Sequence, residues 1–218
     1  MFYGGESMAG VEWLRQRLQE PLPGFSAQER MMGRVIPAPP VVPQNARISA
    51  VLCLLYPGDT GLQMLLMRRI EDGRAHSGQV SFPGGRQEPE DPSLLDTALR
   101  EANEEVGVNR EDIDVLGPLS SLYIPVSNFN VFPFVAFARA RPAVRICEQE
   151  VSYLIEVPLA HLLDDRNKIL TEVVSPALPG VKLKTKAYNL TDGGIIWGAT
   201  AMMISELEVL MKEHKPHW

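Results

Sequence analysis

At 218 residues, with 45% hydrophobic and 22% charged side chains, the chain has the makeup of one large globular domain or a domain with additions. Its 21 basic and 27 acidic residues leave a net charge of −6, which argues against a nucleic-acid surface, since that needs a basic stripe to replace counterions. No apolar run approaches the ~20 residues that span a bilayer, and residues 1–10 lack the basic and apolar regions of a signal peptide. The expectation is a cytoplasmic protein with neither membrane nor nucleic-acid partners.

Val11, Leu14 and Leu18 recur at helical spacing, which predicts a short amphipathic helix over residues 10–19, ended by Pro21 and Pro23. A second short helix is expected over 27–32, and the proline-rich residues 37–43 read as an extended connector. Residues 1–44 are thus expected to form an N-terminal extension and 45–218 the domain proper. Residues 47–56 are dense in apolar and β-branched side chains, as suits a strand buried on both faces. Residues 57–61 give a turn signal, and 62–68 read as the returning strand of a hairpin. Cys53 and Cys147 sit in apolar runs with no zinc or redox spacing, so both read as buried small hydrophobes in a reducing compartment. Arg68, Arg69 and Arg74 cluster next, and His76 reads as a loop residue.

The most informative stretch follows: Phe82-Pro83-Gly84-Gly85, then Asp91, then Arg100-Glu101-Ala102-Asn103-Glu104-Glu105-Val106-Gly107-Val108. Asp91-Pro92 is expected to open a helix as N-cap and first residue, and Gly107 to close it at C′. Between them Leu95, Leu99, Ala102 and Val106 form one apolar stripe. Glu101, Glu104 and Glu105 fall at i, i+3 and i+4 beside it, an arrangement that is mutually repulsive unless a cation sits among them. Hard divalent ions such as Mg²⁺ take carboxylate, water and phosphate oxygens. A metal in that position also reconciles an acidic chain with an anionic substrate.

Beyond the helix, residues 112–119 and 122–125 read as a short strand and a connection, and 130–138 as a second core strand. Pro133 cannot donate to a ladder, so one side of that strand is expected to be an edge or a bulge. Ser127 and Asn128 suggest a turn built by side-chain hydrogen bonds. Lys182, Lys184 and Lys186 alternate with Leu183 and Thr185, a strand with one solvated face. Residues 195–201 lead into a final helix whose packed stripe is Met203, Leu207, Leu210 and Met211, and the small residues of 197–201 read as core packing. The order of elements predicts a mixed sheet between helical layers, an α/β/α sandwich.

Residues 84–108 resemble the Nudix box: a glycine, a spaced acid, then Arg-Glu-apolar-x-Glu-Glu-x-Gly-apolar. The half from Arg100 to Val108 matches throughout, whereas the spaced acid, Asp91, is one residue late from Gly85 and is not Glu. The longer spacing is similar to the coenzyme A pyrophosphatase branch, as is the upstream run Leu65-Leu66, Arg69, Arg74, Gly78 and Phe82-Pro83-Gly84-Gly85. Met67 stands where that branch's signature has threonine, and Ile70 where it has a small residue.

The resemblance implies the Nudix fold and a site for Mg²⁺ or Mn²⁺. Glu101 and Glu105 would be direct ligands together with the Gly85 carbonyl, and Glu104 a further ligand or the catalytic base. Glu150, with Glu148 in reserve, would complete the metal site or act as base. Arg100 and Asp91 would pair to hold the loop against the helix. Arg69 and Arg74 would take the substrate's phosphates, to which the guanidinium fork is suited. The implied reaction is hydrolysis of a pyrophosphate bond in a nucleoside diphosphate derivative. Coenzyme A or an acyl-CoA, giving 3′,5′-ADP and (acyl-)4′-phosphopantetheine, is the favoured substrate. ADP-ribose, a dinucleotide or a nucleoside triphosphate are the alternatives. A non-catalytic nucleotide-sensing module is the alternative of another class, and the retained acids at 101, 104 and 105 count against it. Monomer and homodimer both stay open.

Overall fold

β1 (Arg47–Gly58) sets the architecture, because its alternate residues part to opposite faces of the sheet. Cys53 and Leu55 enter one hydrophobic cluster; Ala50, Leu52, Leu54 and Tyr56 enter another. A strand buried on both faces needs cover on both. In this computed structural model, which describes residues 4–34, 36–73, 76–174 and 180–214, α3 (Leu94–Val106) covers one face and α5 (Gly198–Glu213) the other. The α/β/α layering expected from the sequence is the fold observed.

β2 (Gly61–Arg69) returns along β1 as a hairpin from Leu55↔Met64 to Gly58↔Gly61. Its turn is only Asp59-Thr60, so Pro57 and Gly58 belong to the strand instead of the turn. Beyond Met64 the two strands diverge. β3 (Val80–Ser81) pairs with β2 at Met67 and Arg68, while β4 (Gly84–Arg86) pairs with β1 at Ser49, Ala50 and Val51. The link between β3 and β4 is therefore wedged into the fork, with Leu52 N–H donating to the Pro83 carbonyl at 2.9 Å. That wedge carries the glycine turn to the middle of the sheet.

β7 (Phe129–Ala138) runs parallel to β1 on its other side and carries β5 (Ile113–Pro118) and β6 (Leu122–Ile124) antiparallel. Pro133 is thus interior and not on an edge. Its carbonyl accepts from Leu119 N–H at 2.9 Å in the gap between β5 and β6, where no ladder bond is demanded of its nitrogen. Asn128, at φ 52, fixes the preceding turn by donating to the Asn45 carbonyl (3.1 Å) and accepting from the Tyr123 hydroxyl (2.9 Å). Ser127 does not share that role, since its buried hydroxyl has no partner.

β8 (Val151–Pro158) pairs antiparallel with β2, and the register shifts between Arg68 and Arg69. α4 (Leu159–Leu163) follows. β9 (Lys168–Val174), β10 (Lys182–Asn189) and β11 (Ile195–Trp197) form a separate three-stranded sheet that the sequence did not announce. Along β10 the three lysines are exposed while Thr185 and Ala187 are buried, as the alternation predicts.

The amino-terminal residues join the same core. α1 (Gly4–Arg17) starts earlier than predicted, and α2 (Phe25–Gln28) runs into a 3₁₀ turn over Glu29–Met31. Val11, Leu14, Leu18 and Met31 are buried in the cluster that holds Leu207 and Leu210 of α5. Cys53 is buried and Cys147 partly exposed, both as free thiols. Among the described residues, no helix is long and apolar enough to cross a membrane.

Candidate active site

The glycine turn is held against α3 by one buried acid. Asp91 is not the helix N-cap. Ser93 is, in an extended conformation, with its hydroxyl accepting from Asp96 N–H at 3.2 Å. Asp91 is unavailable because its carboxylate is fully engaged elsewhere. It takes a fork from Arg100 (2.8 and 2.9 Å), the Thr97 hydroxyl (2.9 Å) and Glu88 N–H (2.9 Å). Arg100 also donates to the Arg86 carbonyl. The Arg100 guanidinium, followed by the smaller hydrogen bonds, holds the Asp91 carboxyl well below the usual carboxylate range. The structure thus brings Arg100 and Asp91 together across the loop. Gly107 closes the helix at φ 75.

One glycine is then obligatory. Gly84 has φ 154, and a Cβ there would meet the Ala50 carbonyl at 2.4 Å; a Cβ on Gly85 would meet the movable Glu101 carboxylate at 2.4 Å and displace it. The turn lies flat on the acids of α3. Gly84 N–H donates to Glu105 at 2.8 Å, and Arg69 donates to the other Glu105 oxygen at 2.8 Å. Arg69 follows Leu65 and Met67 at the two-residue period on the α3 side of β2, which aims its side chain toward the helix. Glu105 is 1% exposed. Burial pushes its carboxyl up to about 7, against the opposing pull of Arg69 and Gly84 N–H and with a further push from Glu101. Glu101, one turn earlier, is also raised, first by burial and then by the charges of Glu104 and Glu150, while Arg100 lowers it.

The three glutamates do not gather into one cluster. Glu101 and Glu105 share the face toward the glycines, whereas Glu104 is exposed; Arg100 Nη1 is ion-paired at 3.0 Å to both Glu101 and Glu104. Arg100 competes for Glu104 successfully, as an i,i+4 partner on the same helix should. Among the described residues, no group of three His, Cys, Asp or Glu side chains is arranged to hold a metal ion. What the site has is a pair of neighbouring carboxylates against the glycine turn. Their oxygens suit a hard divalent cation, and burial raises the affinity of both acids for protons in spite of the arginine beside each.

Arg69 stands between acids, 2.8 Å from Glu105 and 3.6 Å from Glu150. Glu150 lies at the turn into β8 and is exposed, as is Glu148. Arg74 lies outside the described residues. Beside the glycine turn opens a cleft of about 420 Å³, lined among others by Arg69, His76, Gln79, Ile124, Ala199 and Met203. The sequence reads His76 as a loop residue and residues 197–201 as core packing. Here His76 faces the cleft, and Ala199 and Thr200 line it while Thr200 also donates to the Val80 carbonyl at 3.0 Å. The alternation of β3 and the fork that opens the cleft are set by pairing partners distant in the chain, so no local signal marks them.

The model of the NUDIX domain family matches residues 46–175. The chain is 38% identical over 195 residues to the protein described as "Uncharacterized Nudix hydrolase NudL" of Yersinia enterocolitica, covering 88% of each chain. It is 35% identical over 175 residues to the protein of the same description from Pectobacterium atrosepticum, covering 80% of this chain and 86% of that one. The chain belongs to the Nudix hydrolase family. The crystal structure of the MutT protein from Methanosarcina mazei Go1 matches with a TM-score of 0.50 at 19% identity, covering 83% of this chain and 100% of that chain, a likeness of fold. As a Nudix hydrolase, the protein acts on pyrophosphate bonds in nucleotide derivatives, and members of the family generally use divalent metal ions.

Proposed function

We propose that this Nudix hydrolase cleaves the pyrophosphate bond of coenzyme A or an acyl-CoA, releasing 3′,5′-ADP and (acyl-)4′-phosphopantetheine, with Mg²⁺ or Mn²⁺ as cofactor. The observation that carries the reading is the cleft beside Arg69 and α5, which is lined by the Gly84-Gly85 turn that rests on buried Glu105 and half-buried Glu101. The similarity of the Leu65–Gly85 run to the coenzyme A branch supports the choice of substrate.

Glu101, Glu105 and the Gly85 carbonyl would hold the cation. Bound there, a divalent ion supplies neutralisation of phosphate oxygens and acidifies water. The chain's own groups do the positioning. Arg69 has guanidinium N–H groups beyond the one given to Glu105 and offers them to the diphosphate. Arg74 is assigned the same task from its place in the sequence. Gly84 and Gly85, with no side chains, let the diphosphate approach the backbone. Arg100 and Asp91 keep that backbone in place from behind.

Glu150 is the general base of this reading. It is exposed and adjacent to Arg69, and its charge is felt at Glu101, whereas Glu104 is tied up by Arg100. A carboxylate so placed takes the proton of the attacking water. Positioning and charge supply most of the acceleration. The test is product analysis by chromatography over coenzyme A, acetyl-CoA, ADP-ribose, a dinucleotide and a nucleoside triphosphate, each with Mg²⁺ and Mn²⁺. Coenzyme A or its thioester should give the highest kcat/KM; a preference for ADP-ribose would replace this substrate, and binding without turnover of any member would favour a sensor.

A further inference from the structure

His76 carries more structure than a loop residue needs. It is one of two non-glycine residues with positive φ among the described residues, at 79°, a conformation that side chains adopt when their surroundings hold them there. Gln79 does the holding. Its side-chain oxygen lies 3.1 Å from His76 Nδ1, and its backbone N–H donates to the His76 carbonyl at 3.1 Å. In the tautomer whose Nδ1–H donates to that oxygen, Nε2 is an acceptor, on a side chain that lines the cleft.

The rest of the lining says what the acceptor meets. Ile124, Val131, Ala199 and Met203 are aliphatic, and the two aromatic residues in the lining are poor platforms for a flat base. Phe82 is 1% exposed, and the Arg47 guanidinium sits over the Phe129 ring at 4.0 Å. Aliphatic side chains in one lining with neutral acceptors, His76 and the Ser49 and Ser81 hydroxyls, suit a branched, uncharged arm that carries N–H or O–H groups.

We propose that His76 determines specificity by accepting a hydrogen bond from an amide or hydroxyl donor on the uncharged arm attached to the diphosphate, an arm of the phosphopantetheine kind. The inference rests on the coenzyme A reading given above. Burial, with the nearby charges of Arg69 and Arg47, keeps the imidazole neutral and so able to accept, in spite of the opposing bond to Gln79.

Glycine tolerates positive φ, so His76→Gly removes the imidazole while leaving the loop relaxed. The experiment measures product inhibition by 4′-phosphopantetheine and by 3′,5′-ADP separately, with kcat and KM for coenzyme A, in wild type, His76→Gly and His76→Gln. In the glycine variant, Ki for 4′-phosphopantetheine and KM for coenzyme A should rise about tenfold, the size of one lost hydrogen bond. Ki for 3′,5′-ADP should stay within about twofold. Glutamine, which keeps an acceptor oxygen, should restore most of the loss. An unchanged Ki for 4′-phosphopantetheine, an equal rise for both products, or a rise for 3′,5′-ADP alone would overturn the role of His76 and leave the substrate reading standing. Wild-type protein that leaves coenzyme A intact would instead remove the substrate reading, and this inference with it.

Discussion

Two helices of this protein bury glutamates, and they treat them oppositely. On α5, Glu206 is 0% exposed and accepts from Gly24 N–H, the Gln28 amide and Ser120 N–H at 2.9–3.2 Å. Glu208, two residues on, is met by Lys168, Lys212 and the Tyr188 hydroxyl. On α3, Glu105 is as deeply buried but has one guanidinium and one backbone N–H, with Glu101 adding its own charge alongside. A buried acid with a full complement of donors ties elements together, here α2 and the segment after β5 to α5. A buried acid with only two donors and a second carboxylate beside it costs stability in the metal-free protein, and it is the one placed to gain from a bound cation.

The largest expected effect breaks the comparison on its catalytic side. Glu105→Gln should lower kcat by about a thousandfold, on the order of 4 kcal/mol of barrier, with no loss of melting temperature in metal-free protein. Glu206→Ala should do the reverse: about 3 kcal/mol less stable, because three donors lose their partner in the core, yet with near-normal kcat per folded molecule. Denaturant unfolding beside steady-state kinetics distinguishes the two. An inactive but stable Glu206 variant would dissolve the contrast.

pH dependence sharpens it. Glu105's folded value of about 7 lies above its ordinary 4.5. Its contribution is therefore fully present below pH 4.5 and is lost as pH rises through 7. Metal-free protein should thus lose on the order of 3 kcal/mol of stability across that window; saturating Mg²⁺ or the Glu105→Gln change should flatten the slope in thermal melts. Asp91 acts in the opposite sense, but below its ordinary 3.8, so the two windows do not overlap. The smallest effect is expected at that acid. Asp91→Asn should cost about 2 kcal/mol and raise KM severalfold by loosening the glycine turn, with a smaller change in kcat.

Much of the frame was legible because it depends on local pattern. The apolar alternation of β1, the Leu99–Ala102–Val106 stripe and the positive φ demanded at Gly107 all follow from residues a few positions apart. The misreadings share a cause. Asp91 looked like a cap because cap rules weigh the nearest turn, while the Arg100 fork that captures it comes from nine residues on. Nothing in residues 61–69 reveals that β2 leaves β1 at Met64, or that its pairing with β8 slips before Arg69. Glu104 and Glu105 are adjacent in sequence, but the turn of about 100° per residue along α3 puts Glu105 beside Ala102 and Val106 in the core and Glu104 outward, where Arg100 pairs it. The buried state of Glu206 was equally hidden, since its three donors lie 86 to 182 positions away.

α1 bears on the far end of α5: Leu14 and Leu18 share a cluster with Leu210, and Arg17 meets Glu213 at 2.6 Å. The near end of α5 supplies Ala199, Thr200 and Met203 to the cleft. The helix is consequently a lever with its grip at one tip and its working edge at the other. Fusing a bulky tag close ahead of α1, or clipping the chain within it, would be felt some twenty ångströms off, roughly the length of a helix of this size, as a change in how firmly substrate is grasped.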